Sequence, residues 1–307
     1  YERFVSPLSV AARVAARDNP VWEPIDADRL AGDSGDLRGI WAEFEAAASS
    51  DANFAKRMDH ANPLFQVVSA ATPRPDHVRI VQANLNGGRA RRLRQDWPEA
   101  AAAAEALMRG RAVPDGDLAR RLAFLAEADR LKSVYRANTL IDGSRRENSG
   151  EHSWHVALYA LVLADLAKGA VDIGRVIRML LIHDLVEIDV GDVPLHSAQG
   201  QAHGSPRIQA AEARAARRIF GLLPQDQAAE LLALWTEFEA AATPDAVFAK
   251  ALDRCQPAVQ NLRSGGNGWR EYAVTLGDIE TRVGTRIAAG APGLWSWLHG
   301  EIKGWFG

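Results

Sequence analysis

Met179-Leu180-Leu181-Ile182-His183-Asp184-Leu185-Val186-Glu187 is an apolar run that ends in a histidine beside an aspartate, with a glutamate closing the segment. Apolar spacing at 3.6 residues and a capping Asp172 predict a buried helix over Asp172–Glu187. A carboxylate carried into such a helix costs several kcal/mol or more unless something neutralises it. A divalent cation removes that cost, so the segment reads as part of a metal site.

Outward from this run the chain is helical. Windows with the same spacing cover Asp117–Lys132, His152–Ala167, Gln209–Phe220, Gln225–Ala241 and Pro244–Asn261. Thr243-Pro244 supplies a cap followed by proline at the first helical position. The one alternating, strand-like stretch is Val78–Val81, and the expected class is all-α.

Composition excludes several functions. The 307 residues contain 47% hydrophobic residues, enough for a substantial core, and the formal charge of −3 gives no electrostatic footprint for nucleic acid. Nine tryptophans without a basic stripe read as packing. The single cysteine, Cys255, rules out an intramolecular disulfide and fits a reducing compartment. No apolar stretch is long enough to span a bilayer, and Tyr1-Glu2-Arg3-Phe4 opens neither a basic nor an apolar leader, although it lacks an initiator methionine. The expectation is a cytoplasmic protein with no membrane partner.

The chain also resembles itself. Trp41 to Asp59 matches Trp235 to Asp253 at thirteen of nineteen positions, an offset of 194 residues that also pairs Pro63 with Pro257, Gln66 with Gln260 and Pro98 with Pro292. Before residue 119 there is no His-Asp pair, and Asp59, the counterpart of Asp253, has no obvious co-ligands. Residues 1–113 are therefore expected to be a degenerate helical partial repeat, docked on a complete domain over 114–307 in the manner of a dimer contact. The Ala112 to Asp117 stretch, with Pro114 and Gly116, is the boundary. A homodimer stays open.

Three predicted helices carry His152, the pair His183-Asp184, and Asp253. Their convergence would offer two imidazoles and two carboxylates, a set that suits one Mn²⁺, Co²⁺, Mg²⁺, Zn²⁺, Ni²⁺ or Fe²⁺ and, lacking sulfur, not a structural zinc. Positions left for water and substrate point to catalysis.

These residues resemble the HD-domain metal-dependent phosphohydrolase superfamily, within it the small bacterial HD hydrolases that include the 5′-deoxynucleotidases. Arg145-Arg146-Glu147-Asn148-Ser149-Gly150-Glu151-His152-Ser153 is similar to the family's Arg-x-Glu-Asn-x-x-Glu-His-Ser. His183-Asp184-Leu185-Val186-Glu187-Ile188-Asp189-Val190-Gly191-Asp192-Val193-Pro194 is similar to its His-Asp-x-x-Glu-x-x-x-Gly-Asp-x-Pro. The resemblance runs from about residue 119 to the C-terminus. It implies an HD-type helical bundle, His152, His183, Asp184 and Asp253 as metal ligands, and Glu187 and Asp192 as catalytic carboxylates. It also implies a phosphorylated small-molecule substrate, most simply a nucleoside 5′-monophosphate. Glu187, one helical turn after His183, could orient the attacking water, and Asp192 could protonate the leaving oxygen. Arg136 and Arg145 are expected to bind phosphate. Ala137 stands where the deoxynucleotidases carry tryptophan, which leaves the sugar preference open.

Two other readings compete. A di-iron oxygenase would need further histidines, for which His196 and His203 are available, and a regulatory HD protein would keep a structural ion without turnover. His155 could support the site from behind or simply pack. The loop Ser264 to Trp269 could close over a ligand or merely connect helices.

Overall fold

A computed structural model describes residues 35–197 and 205–307. The chain divides into two compact units, one ending at Arg111 and the other spanning Ala112–Gly307. Both are helical, and the single sheet among the described residues has two strands.

The first unit contains α1 (Gly35–Ala46), α2 (Ser50–Val68), α3 (Pro75–Gly87) and α4 (Pro98–Met108). The Val78–Val81 stretch lies inside α3, where Val81 and Leu85 are buried one turn apart. Its apparent alternation is the chance overlap of a period of two with a helical stripe. Small residues dominate this core: Ala61, Leu64, Val68 and Leu85 pack with Leu93, Ala100, Ala101 and Ala104.

The second unit contains α5 (Asp117–Asp129), β1 (Tyr135–Thr139), β2 (Arg146–Asn148), α6 (Ser149–Val162), α7 (Ile173–Ile182), α8 (Pro206–Phe220), α9 (Gln225–Ala240), α10 (Pro244–Arg263) and α11 (Pro292–Phe306). Helix α10 is the axis. Phe248, Ala249, Ala251, Leu252, Cys255 and Ala258 bury almost all of its circumference against α6, α7 and the C-terminal helices. A second cluster joins α5, α8 and α9, where Phe124, Phe220 and Trp235 pack on Leu185 and Val186. Fully burying each large apolar side chain contributes about 1.5–3 kcal/mol.

Two features of this unit position the site. The hairpin β1–β2 pairs Tyr135 with Asn148 and Thr139 with Arg146, with a register irregularity between them. Helix α7 stops at Ile182, where the backbone reaches φ −113°. His183–Val186 then form a 3-10 turn and Glu187–Val190 a separate single turn. The continuous helix expected through Glu187 is thus broken at the His-Asp pair, because His183 Nδ1 lies 2.7 Å from the Leu180 carbonyl and Trp235 Nε1 donates to the His183 carbonyl.

The two units share local detail at the 194-residue offset. Ser49 caps α2 and Thr243 caps α10, each accepting from the amide three residues on. Ala47 and Ala241 both adopt left-handed backbone before these caps, with φ of 48° and 47°. Pro63 and Pro257 both lie inside their helices. Buried Ala61, Leu64, Leu85, Leu93, Ala100 and Ala104 correspond to buried Cys255, Ala258, Ile279, Ile287, Leu294 and Leu298. The aromatic positions differ: Trp41 and Phe54 are 64% and 59% exposed, whereas Trp235 and Phe248 are 6% and 1% exposed.

Candidate metal centre and active site

Each histidine is delivered by a local backbone device. Asn148, the last residue of β2, caps α6. Its side chain accepts from the Glu151 amide at 2.9 Å, and Glu151 returns a bond to the Asn148 amide at 3.2 Å. This capping box fixes the first turn of α6, and His152 follows it fully buried. His183 is delivered by the 3-10 turn. Asp253 comes from mid-α10, one turn before Pro257, whose ring cannot donate to the Asp253 carbonyl.

The three side chains converge. His152, His183 and Asp253 offer ligand atoms that all lie within 4.8 Å of one another. Asp253 Oδ1 sits 3.1 Å from His152 Nε2 and 3.5 Å from His183 Nε2. Asp184 borders the cluster, with Oδ1 3.0 Å from His183 Nε2 and Oδ2 3.8 Å from His152 Nε2.

These donors fit a cation. His183 Nδ1 is committed to the Leu180 carbonyl, so a neutral ring presents an Nε2 lone pair to two carboxylates. That Nε2 is buried with no hydrogen-bond partner. Lone pair against carboxylate is repulsive unless positive charge lies between them. In the metal-free chain a proton serves: burial works against the charged His183 ring, but Asp184 and Asp253 outweigh it and raise its pKa. His152 goes the other way. Burial, assisted by Arg136, lowers it to about 4, leaving a neutral imidazole suited to ligation.

Arg136 reaches into the same cavity from β1. Its Nη1 lies 2.7 Å from Asp184 Oδ2, 3.6 Å from Glu187 Oε1 and 3.9 Å from Asp192 Oδ1. Burial disfavours the guanidinium charge, but the surrounding carboxylates more than restore it. Glu187 is held well above the usual carboxylate range by burial and by Asp184, and its Oε2 accepts from Ser149 Oγ. Gly191, at φ 75°, turns the chain so that Asp192 returns to the cavity, where burial raises its pKa too. Gln209, Glu212 and Lys250 also line the cavity, as do Asn138, Trp269 and Tyr272.

Arg136, Glu187 and Asp192 therefore share one cavity with His183, Asp184 and Asp253, although Glu187 gets there by a tightened turn rather than a continuous helix. Arg145 is not brought there. Its guanidinium forms a two-pronged pair with Glu151 at 2.7 and 2.8 Å on an exposed surface. The carboxylate that braces α6 outcompetes a distant cavity for it. Arg146 likewise pairs with Glu271. His196 lines the cavity, and His203 lies outside the described residues. Cys255 is buried, with its thiol pushed up to about 12, and behaves as a small core residue.

Sequence reasoning missed Gln256, Gln260 and the role of Glu147. All three are buried behind His152, where both glutamines donate to Glu147 and Gln256 also bonds the ring. A signal was available: Asp253, Gln256 and Gln260 recur at i, i+3 and i+7, polar residues on one stripe of an otherwise apolar helix.

Comparison with known proteins agrees with this geometry. The HD-domain family profile matches residues 23–101 and 128–295. The human 5′-deoxynucleotidase HDDC2 is 32% identical over 142 residues, covering 45% of this chain and 65% of that protein, just under two thirds of its length. The mouse protein of the same name is 32% identical over 148 residues, covering 47% and 70%. A crystal structure of a predicted metal-dependent phosphohydrolase from Magnetospirillum magnetotacticum MS-1 superposes with a TM-score of 0.58 at 45% identity, over 62% of this chain and 94% of that one. The chain belongs to the HD-domain family.

Proposed function

We propose that the protein is a metal-dependent phosphohydrolase that cleaves a phosphate monoester, with a nucleoside 5′-monophosphate as the substrate class. The observation that carries this reading is a His/His/Asp cluster whose His183 and Asp253 line one cavity with Arg136, Glu187 and Asp192, while His152 lies buried beside them. The 5′-deoxynucleotidase relatives support the same class of substrate. His152, His183, Asp184 and Asp253 would hold one divalent cation. Bound there, such an ion acidifies water and neutralises charge on a phosphate oxygen.

The remaining steps belong to side chains. Arg136 offers a planar, permanently charged donor fork to the phosphate dianion, exchanging part of its hold on Asp184 for substrate. Glu187 orients the attacking water and accepts its proton. Asp192, whose burial favours the protonated form, gives a proton to the departing 5′ oxygen. The test is inorganic phosphate release from a nucleotide panel, measured after chelation and again with Mn²⁺ or Co²⁺ restored. Ion-dependent release that Asp184→Ala abolishes is expected. Absence of release, or unchanged release by that variant, refutes the reading.

We also propose that the unit ending at Arg111 is an incomplete copy of the second half of unit Ala112–Gly307. The shared caps, left-handed alanines, internal prolines and buried positions support this, as does the family match on both sides of the boundary.

A further inference from the structure

The structure assigns a positioning role to Gln256 and Glu147: together they fix which nitrogen of His152 carries its proton, and so leave Nε2 free for a metal ion. This rests on His152 being a ligand, as proposed above. His152 Nδ1 lies 2.9 Å from Gln256 Oε1, and the ring is fully buried. If the Gln256 oxygen faces the ring, Nδ1 must be the protonated nitrogen and Nε2 the lone pair.

An amide can flip, so something must fix its direction. On its far side Gln256 Nε2 lies 3.0 Å from Glu147 Oε1 and 3.1 Å from His155 Nδ1. Both can accept, and an NH₂ group has two hydrogens to give. Flipped, the Gln256 oxygen would face the Glu147 carboxylate oxygen at the same distance, buried and repulsive. Glu147 is in turn held by Gln260 Nε2 at 2.7 Å and is 1% exposed, so it cannot turn away to water. The order of command is Glu147, then Gln256, then His152. His155, which packing alone could have explained, is the second acceptor that keeps the amide in place.

The outer hydrogen bond of a metal-bound histidine characteristically sets ring orientation and ligand basicity, and its loss costs about 10–100-fold in metal affinity. The chelator-treated full-length protein is titrated with Mn²⁺, and the free ion is followed by electron paramagnetic resonance. Gln256→Leu and Glu147→Leu should each weaken binding by about 10–100-fold. Glu147→Gln, which keeps an acceptor oxygen for both amides, should stay close to wild type. A role confined to packing would lower Tm in the leucine variants without separating them from Glu147→Gln in affinity, and that result overturns the assignment. A measurement on the wild type does not depend on how the variants fold. Because Nε2 also lies 3.1 Å from Asp253 Oδ1, the tautomer is read with an ion in place: long-range ¹⁵N–¹H correlation of the Zn²⁺-loaded protein should show the His152 proton on Nδ1, and metal bound through Nδ1 with the proton on Nε2 overturns the assignment. His152→Ala separates the two levels of argument. Full affinity in that variant removes His152 as a ligand, whereas lost affinity there with none lost in Gln256→Leu removes only the positioning role.

Discussion

Glu187 shows how far one side chain departs from its solution behaviour when a fold surrounds it with like charge. Burial and Asp184 raise its pKa well above 4.5, so the folded metal-free chain keeps a proton that the unfolded chain releases. Stability from such a group is complete below the unfolded value and is lost as pH rises through the folded one. The metal-free protein should therefore lose stability as pH rises above 4.5, partly through Glu187. Glu187→Gln should flatten that decline in chemical denaturation of chelated protein. An unchanged slope would show that Glu187 does not titrate in this window. Arg145 teaches the converse. Its motif made it look like a phosphate ligand, but its bond to Glu151 makes it a brace on the turn that presents His152.

At the scale of elements, the helices were legible because their apolar stripes and caps agree. Asp172 and Thr243 cap where sequence placed them, and α10 begins at Pro244 as expected. The hairpin was not legible. Tyr135-Arg136-Ala137-Asn138-Thr139 has no alternating apolar face, since its pairing is interrupted and its inward side chains serve the cavity. Nor was the 3-10 turn legible, since it depends on a bond from an indole 52 residues away. The His/His/Asp cluster could be read because buried histidine and aspartate conflict with an apolar run. The amide network behind it reads as ordinary helix until α6 and α10 are placed side by side. Packing at equivalent positions of the two units makes a sharp contrast. Phe248→Ala should cost about 3–5 kcal/mol in global stability, as buried phenylalanine does. Phe54→Ala, at the matching place in α2, should stay within about 0.5 kcal/mol. Equal losses in urea titrations would contradict the difference in their surroundings.

For the molecule as a whole, the likeness between the two stretches does not extend to chemistry. Asp59 occupies the place of Asp253 but is exposed, and the metal-type cluster found among the described residues lies in unit Ala112–Gly307. Metal analysis of the reloaded full chain should therefore give one ion per polypeptide. Two would mean either a site in the first unit or, if both are iron, the di-iron alternative with His196 and His203. Within the described residues no helix is long and apolar enough to cross a membrane.

The contact between Arg136 and Asp184 bears on how such a chain comes to be assembled. Four carboxylates, from Asp184, Glu187, Asp192 and Asp253, are packed near one another, and a fixed cation from β1 already sits among them. Arg136 is thus a resident counter-ion in the metal-free chain. Small zinc modules need their ion before they can fold at all. Here the polypeptide carries a positive charge of its own among the carboxylates, so the chelated chain is expected to fold, with a far-UV circular dichroism spectrum that matches the reloaded protein.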